Sequence, residues 1–349
     1  VAGPLPADAV PPGVRDLAVV LLDRAARALD ELDGTGWVVD HELADGHLVL
    51  PHVVAAANGL DAPEPPPAPR PAPGGGWVAV DLGPDDEDTF RTLCTVLDDE
   101  VRAGAPAPDA EAFARRAQEW RLAVTPYRAV HAAAGSTGDG PVGRDHETLP
   151  PSRRAPAGPT AGGSGRPLAG VRIVDLTVMW AGPLATWLAD RLGAEVWRIE
   201  PSCRPDGFRA GPRPVGAGPG PGALHVALAG GKRRLDLDLR RAADRHEFDR
   251  LVAGADVVID NLSPRVRPNL GIEPARLARL RPGLIDVSIT AFAPGRPEAD
   301  WVAYGGGVHA SAGTAARPGP GGTTIVAPGA VPHADPLTGF GVFAAVLDA

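Results

Sequence analysis

The sequence is poor in cysteine and lysine: its 349 residues include only two cysteines, Cys94 and Cys203, and one lysine, Lys232. Two isolated cysteines exclude a disulfide framework and a cysteine-ligated zinc site, and they are typical of proteins in a reducing compartment. The sequence also lacks the spacing of His, Cys and carboxylate residues that is typical of a metal site. We therefore expect a cytoplasmic protein without a metal site.

Long apolar runs are absent as well. No stretch of about 18 apolar residues occurs, as a membrane-spanning helix would need. The first residues do not combine a basic region with an apolar segment, as a signal peptide would. The formal net charge of −9 does not suit the phosphate backbone of a nucleic acid. The sequence therefore predicts neither a membrane nor a nucleic acid as a partner.

Glycine and proline, by contrast, are abundant, with 44 and 40 residues. Such usage requires irregular segments or linkers. Residues 134–165 consist mainly of Gly, Pro, Ala and polar residues without periodicity, which is typical of a linker. We therefore predict an N-terminal domain at residues 1–133 and a C-terminal domain at residues 166–349.

The N-terminal domain is predicted to be rich in α-helix. Apolar residues recur at helical spacing in residues 13–33, 86–102 and 109–123, and a further apolar segment covers residues 48–60. One strand is predicted at residues 77–82. These segments build a core and carry no chemical motif.

Residues 171–200 organise the C-terminal domain. They predict a buried strand, a sharp turn at Ala181-Gly182-Pro183, a helix with apolar side chains at helical spacing, and a second buried strand. Two buried strands joined by a helix form a right-handed parallel unit, whose ligand crevice opens at the carboxyl end of the strands. Residues 177–182 are therefore expected at the lip of that crevice.

Strands and helices continue to alternate after this unit. Strands are predicted at 235–239, 256–261 and 284–290, helices at 242–253, 273–280 and 337–347, and glycine-rich loops around 304–307. This alternation predicts an α/β fold with a Rossmann-like, mostly parallel sheet.

Two segments carry side chains that suit an anionic ligand. The cluster 232–234 (KRR) lies at a loop-to-strand junction. It either meets a phosphate or forms a solvated strand end paired with Asp236 or Asp238. Residues 261–265 (NLSPR) directly follow a buried strand, and they are as typical of a turn as of a ligand loop.

Asp335 lies at the start of the last predicted helix and has two interpretations. It is an N-cap in the first, because a carboxylate accepts hydrogen bonds from the free amides of a first turn. In the second it is a nucleophile in the crevice, which the same amides keep ionised. The residues alone leave both interpretations open.

Five segments of the C-terminal domain together resemble the class III CoA-transferase family, which includes formyl-CoA and carnitine-CoA transferases and the related α-methylacyl-CoA racemases. The segments read PLAGVRIVDLTVMWAGPLATWLADRLGAEVWRIEP, GGKRRLDLDL, ADVVIDNLSPRVRPNLGI, RPGLIDVSITAFAPGRPEADWVAYGGGVHASAG and PHADPLTGFGVFAAVL. They occur in the family's order and at near-family spacing over residues 167–349.

The resemblance implies an activity, namely the transfer of CoA from an acyl-CoA to a carboxylic acid. Asp335 would act as the nucleophile, forming first a mixed anhydride and then an aspartyl-CoA thioester. The CoA thioester would be a substrate, and no permanently bound cofactor is expected. Family members form homodimers, so the resemblance also implies a homodimer.

The resemblance further implies a CoA site along the carboxyl edge of the sheet. The residues implied at the pantetheine and thioester end are Met179, Trp180 and Ala181. Those implied at the nucleotide and diphosphate end are Arg233, Asn261, Leu262 and Pro264. Tyr304 would adjoin the same site, at the position where the racemases carry a catalytic histidine.

The sequence departs from the family in three respects: its phosphate contacts, the racemase histidine position and the order of the domains. Pro201 and Asn269 replace basic residues that formyl-CoA transferase uses against the phosphates of CoA. Tyr304 replaces the racemase histidine, which favours transfer over racemisation. Residues 76–129 resemble the family's smaller domain, which ordinarily follows the nucleophile but here precedes it. An acyl-CoA racemase or epimerase and a catalytically inactive CoA-binding homologue are the alternatives.

Overall fold

The structure, a computed structural model, describes residues 12–33, 54, 60, 67–83, 85–128, 166–213, 217, 220–313, 316–319, 322–325 and 333–349. The predicted linker at 134–165 and most of the predicted apolar segment at 48–60 lie outside these residues. In the described ranges, no helix is both long enough and apolar enough to cross a membrane.

The part before the predicted linker contains helices and a small antiparallel sheet. The helices are α1 (Pro12–Asp33), α2 (Glu87–Arg102) and α3 (Ala110–Glu119). The strands are β1 (Arg70–Pro71), β2 (Trp77–Val80) and β3 (Val124–Pro126), in the order β1-β2-β3. The sequence predicted β2 but extended the third helix to Ala123. Strand β3 forms through its pairing with β2, a contact that local periodicity does not report.

From residue 166 onward, the described chain forms a five-stranded parallel sheet. Its strands are β4 (Arg172–Asp175), β5 (Glu195–Ile199), β6 (Arg233–Leu235), β7 (Val257–Asp260) and β8 (Ile285–Ser288), in the spatial order β6-β5-β4-β7-β8. This arrangement confirms the predicted α/β fold with a parallel sheet. From β4 the chain first adds β5 and β6 on one side, and it then adds β7 and β8 on the other side. Such a reversal opens a crevice at the carboxyl ends of the two central strands.

Helices form most of the connections between these strands. The connecting helices are α4 (Ala181–Arg191), a 3-10 turn (Gly207–Ala210), α5 (Ala223–Ala229), α6 (Ala242–Ala253), α7 (Val266–Asn269) and α8 (Pro274–Leu280). Two further helices, α9 (Gly305–Ser311) and α10 (Ala334–Asp348), follow β8. A separate hairpin pairs β9 (Ala316–Gly319) with β10 (Gly322–Ile325).

Apolar side chains cover both faces of the parallel sheet, as burial of its backbone requires. Helices α4 and α10 pack on one face together with α1, which contributes Ala25 and Leu29 to that core. Helices α6 and α8 cover the other face through Phe248 and Leu277. The N-terminal helix therefore shares a core with the C-terminal sheet.

The antiparallel sheet and α3 dock against residues 298–310 of the C-terminal part. The Gln118 side chain donates a hydrogen bond to the carbonyl of Val302 at 2.7 Å, and Arg128 pairs with Glu298 at 2.7 Å. These contacts fix the N-terminal unit, which consists of the antiparallel sheet with α2 and α3, beside α9.

Two glycines at the start of α9, Gly306 and Gly307, allow this close approach. A Cβ at Gly306 would lie 3.0 Å from both carboxylate oxygens of Asp81, and one at Gly307 would lie 2.8 Å from Oγ1 of Thr125. The sequence predicted a loop at residues 304–307, because glycine disfavours helix by about 1 kcal/mol per residue. The structure has a helix there instead, and its glycines are where the small sheet touches it.

Candidate active site

Asp335 lies within the first turn of α10. The helix starts at Ala334 and its N-cap is His333, so the N-cap interpretation of Asp335 is wrong. The Asp335 carboxylate is half-buried, and the backbone amide of Ala181, the first residue of α4, stabilises it and lowers its pKa. The starts of two helices therefore meet at this side chain.

Gly339 makes the meeting of α4 and α10 possible. A Cβ at this position would lie 2.9 Å from the carbonyl oxygen of Ala181 and 3.0 Å from Cδ2 of Leu184. Such distances are too short for an ordinary contact, so glycine is required where the two helices touch. One turn earlier along α10, Asp335 is held against Ala181.

Burial raises the pKa of Asp335 to about 6, well above its ordinary value of 3.8. The Ala181 amide and the residue's own amide stabilise the carboxylate and lower the pKa, whereas the negative charge of Asp81 raises it. At neutral pH Asp335 is mostly ionised but poorly solvated, and both properties suit a nucleophile.

The turn between β4 and α4 has a strained backbone. Met179 adopts a left-handed conformation with φ 66°, which non-glycine residues rarely occupy. Its amide donates a hydrogen bond to Oδ2 of Asp206 at 3.0 Å. Asn261 holds the neighbouring residue, since its side chain accepts from the amide of Val178 at 3.0 Å and donates to the Val178 carbonyl at 2.8 Å. The polar atoms of Asn261 thus support the turn across the sheet.

A buried ion pair lies beneath the first turn of α4. Nζ of Lys232 is 3.3 Å from the Asp175 carboxylate, and it donates to the Pro183 carbonyl and to Oγ1 of Thr186, each at 2.8 Å. Burial lowers the pKa of Lys232 to about 8, although Asp175 opposes this shift. Neither interpretation of this lysine from the sequence is correct, because its amine is buried and supports α4.

A second buried network ties the loop after β5 to the Met179 turn. Arg198 pairs with Asp206, and both side chains are almost completely buried. The amide of Asp206 also donates to Glu200 at 3.1 Å. Burial opposes ionisation of Glu200, but hydrogen bonds from Arg209 and from the Asp206 amide lower its pKa to about 2. The charges in this network hold Asp206 in position to accept the hydrogen bond from the Met179 amide.

The other residues implied at the CoA site are distributed around this turn. Trp180 is a core residue with 4% of its surface exposed, and its Nε1 has no hydrogen-bond partner among the described residues. Leu262 and Pro264 follow β7 beside Asn261 and are half-buried. Met179, Ala181 and Asp335 therefore come together, with Asn261 and the residues after it on the adjoining strand end.

Arg233 and Tyr304 lie apart from this group. Arg233 is exposed at the start of β6, level with Trp197 in the middle of β5, and two strands separate β6 from β7. Tyr304 is 46% exposed and immediately precedes α9. Tyr304 therefore lies next to the first turn of α9, which is the turn that contacts the N-terminal unit.

Asp81 is a site residue that the sequence did not indicate. It follows β2 and accepts a hydrogen bond from the amide of Gly307 at 2.7 Å. Its negative charge raises the pKa of Asp335 and of the phenols of Tyr127 and Tyr304. Burial is the larger cause of the raised pKa in all three groups. No local pattern marks it, because the fold alone brings β2 to α9.

His309 supports the start of α10. Its Nε2 accepts a hydrogen bond from the amide of Ala334 at 3.1 Å, and burial lowers the pKa of its imidazole, with a further contribution from His333. The neutral imidazole therefore holds the residue that precedes Asp335. Within the described ranges, no group of three or more His, Cys, Asp or Glu side chains is arranged to hold a metal ion.

The sequence model of the family described as CoA-transferase family III matches residues 168–349. That match covers just over half of the chain. The protein belongs to the CoA-transferase family III. The matched residues of this family member include the Met179 turn, Asn261 and Asp335, whereas Asp81 lies outside them.

Similar proteins cover only part of the chain. It is 33% identical over 148 residues to the acetyl-CoA:oxalate CoA-transferase of Acetobacter aceti, which covers 42% of this chain and 37% of that protein. It is 35% identical over 142 residues to the succinate–glutarate CoA-transferase of Agrobacterium fabrum, covering 40% and 36%. The matched region is therefore less than half the length of these relatives.

A similar solved structure is that of a CAIB/BAIF family protein from Brucella suis. It is 31% identical, has a TM-score of 0.47, and covers 53% of this chain and 49% of that chain.

Proposed function

We propose that the protein is an acyl-CoA:carboxylate CoA-transferase in which Asp335 is the nucleophile. The observation that carries this proposal is the placement of the Asp335 carboxylate against the Ala181 amide, at the turn that follows the central strand β4. Ligands bind at this end of the strands in open parallel sheets. A half-buried carboxylate with a raised pKa at that position is a functional-site candidate on physical grounds.

The proposed reaction starts when a carboxylate oxygen of Asp335 attacks the thioester carbonyl carbon. The carbon–sulfur bond breaks, CoA leaves as a thiolate, and the acyl group forms a mixed anhydride with Asp335. The thiolate then attacks the aspartyl carbon of the anhydride. This step releases the donor acid as a carboxylate and leaves CoA on Asp335 as a thioester.

The second half of the reaction reverses these steps with the acceptor acid. Its carboxylate attacks the aspartyl-CoA thioester and forms a new anhydride, again with CoA thiolate as the leaving group. The thiolate then attacks the acceptor's acyl carbon, which yields the new acyl-CoA and regenerates the Asp335 carboxylate. An anhydride conserves the energy of the thioester, whereas an ester or an amide would trap the acyl group.

The residues around the turn would bind the substrate rather than react with it. We assign the thioester end of CoA to Met179 and Ala181, whose backbone geometry the buried networks fix. Asn261 would act through the turn that it supports. Leu262, Pro264 and Arg233 are proposed for the nucleotide end by the family resemblance, and Trp180 as part of the apolar wall. A cytoplasmic homodimer stays a prediction.

Racemisation is the less favoured alternative. It needs a base beside the α-carbon of the acyl group. Burial raises the pKa of Tyr304 above its ordinary value of 10, so its phenol is protonated at neutral pH. Nε2 of His309 is occupied by the Ala334 amide. Both observations support transfer.

A transfer assay with the Asp335→Asn variant tests the proposal. The protein is incubated with a panel of acyl-CoA donors and carboxylic acid acceptors, and new acyl-CoA is measured by chromatography. We expect transfer by the parent protein and a loss of at least about 1,000-fold in the variant, because the amide cannot form the anhydride. A variant as active as the parent, or a parent inactive on all pairs, would contradict the proposal.

A further inference from the structure

The N-terminal unit brings a second carboxylate to the Asp335 site. The Asp81 carboxylate accepts a hydrogen bond from the amide of Gly307 at 2.7 Å, within the first turn of α9. In the last turn of the same helix, Nε2 of His309 accepts a hydrogen bond from the amide of Ala334, which directly precedes Asp335. Helix α9 therefore fixes Asp81 and Asp335 relative to each other.

The approach of Asp81 to α9 is built into the sequence of the helix. A Cβ at Gly306 would lie 3.0 Å from both Asp81 oxygens, so a larger residue at position 306 would displace the carboxylate. Asp81 itself is half-buried. Because water is partly excluded, its charge acts more strongly on neighbouring groups than the charge of an exposed carboxylate would.

The chain has two tyrosines, Tyr127 and Tyr304, and the charge of Asp81 reaches both phenols as well as Asp335. The two contacts on α9 are only two residues apart, at Gly307 and His309, which places Asp81 close to the nucleophile. In the proposed reaction Asp335 loses its charge each time it becomes an anhydride or a thioester. Burial raises the pKa of Asp81, and the hydrogen bond from the Gly307 amide opposes this shift by stabilising the carboxylate. The ionised form of Asp81 then presents a negative charge to an arriving acid.

We propose that Asp81 is a specificity-determining residue of the Asp335 site, where its carboxylate disfavours acceptor acids with a second negative charge. The site would thus prefer monocarboxylic acids to dicarboxylic acids. This inference rests on the proposed function and adds the substrate class to it.

The first test measures the charge at Asp335 without requiring transfer. Asp335 is labelled with a cationic and with a neutral carbodiimide, and each product is quantified by mass spectrometry. Asp81→Asn should lower the cationic-to-neutral labelling ratio at Asp335 by roughly threefold to tenfold. The asparagine oxygen can still accept from Gly307, so docking is kept. The matched control is Asp85→Asn, the same change at an exposed position on the same loop, which should leave the ratio unchanged.

The second test compares two acceptors of equal chain length, butanoate and succinate. In the Asp81→Asn variant, the rate with succinate relative to butanoate should rise roughly tenfold. A shift in protonation of Asp335 affects both acceptors equally and cancels in this ratio. An unchanged ratio, or the same rise in Asp85→Asn, would overturn the proposal.

The two tests separate this inference from the function on which it rests. A parent protein that transfers CoA to no acid would contradict the proposed function and, with it, the acceptor preference, while the labelling ratio would still show whether the charge of Asp81 acts at Asp335. A parent that transfers CoA, with acceptor selectivity unaltered by Asp81→Asn, would remove the Asp81 proposal and leave the proposed function intact.

Discussion

Ala181 at the start of α4 packs against Gly339 of α10, and the contact between the two helices brings the Ala181 amide to the Asp335 carboxylate, whose pKa it lowers. It places the proposed nucleophile beside the strained Met179 turn at the carboxyl end of β4.

Gly339→Ala should separate the two helices. The new Cβ would lie 2.9 Å from the Ala181 carbonyl oxygen, so α10 must move away from α4. We expect a loss of about 1–3 kcal/mol in the free energy of unfolding, measured by urea denaturation, together with a fall in transfer activity. Gly341→Ala is the matched control, because its Cβ would come no closer than 3.8 Å to Leu21. Equal loss of stability in the two variants would contradict the close contact at Gly339.

Asp335→Asn should stabilise the fold at neutral pH. Burial raises the folded-state pKa of Asp335 to about 6 from an ordinary 3.8. The native state therefore binds more protons than the unfolded state between these values. The favourable contribution of the protonated group is present at pH 3.8 and below, and it is lost as the pH rises through 6. The asparagine variant avoids that loss.

The expected gain for Asp335→Asn is about 2–3 kcal/mol at pH 7, and it should be close to zero near pH 3.5. The measurement is urea denaturation of parent and variant at both pH values. Asp85→Asn, at an exposed position, should show no such dependence. A variant that is less stable than the parent at pH 7 would contradict the raised pKa of Asp335.

Asn261→Ala should loosen the Met179 turn. The substitution removes both hydrogen bonds to Val178, which are worth about 1 kcal/mol each. We expect the KM for acyl-CoA to rise by roughly tenfold, while the nucleophile itself stays in place. Thr92→Ala is the control, since Thr92 is exposed on α2 and its side chain bonds to the Asp88 carbonyl, away from the Met179 turn. Unchanged kinetics in Asn261→Ala would show that the turn does not depend on this side chain.

Much of the parallel sheet could be predicted from the sequence. Strand β7 is a continuous buried run, and helix α6 lies at the predicted residues 242–253. Their alternation is a local property of the chain. The β3 strand could not be predicted in this way, because it is defined by its pairing with β2.

Residues of the candidate site could be predicted only where they lie in a segment that resembles the family. The family resemblance indicated Asp335 and the Met179 turn, but periodicity could not decide whether Asp335 was an N-cap. That question needed the start of α10, which lies at Ala334. In the sequence, Lys232 lies in a basic cluster that suits either a phosphate or a solvated strand end. Only the fold shows that its amine is buried beside Asp175. Asp81 reaches the site through packing on α9, for which no sequence pattern exists.

The most direct test of the central claim is to look for the covalent intermediate on Asp335. The protein is incubated with acyl-CoA donors, digested, and analysed by mass spectrometry with and without hydroxylamine. We expect an adduct of the acyl group or of CoA on the peptide that contains Asp335, which hydroxylamine converts to a hydroxamate. Transfer activity without any such adduct, or an adduct that forms equally in Asp335→Asn, would contradict it.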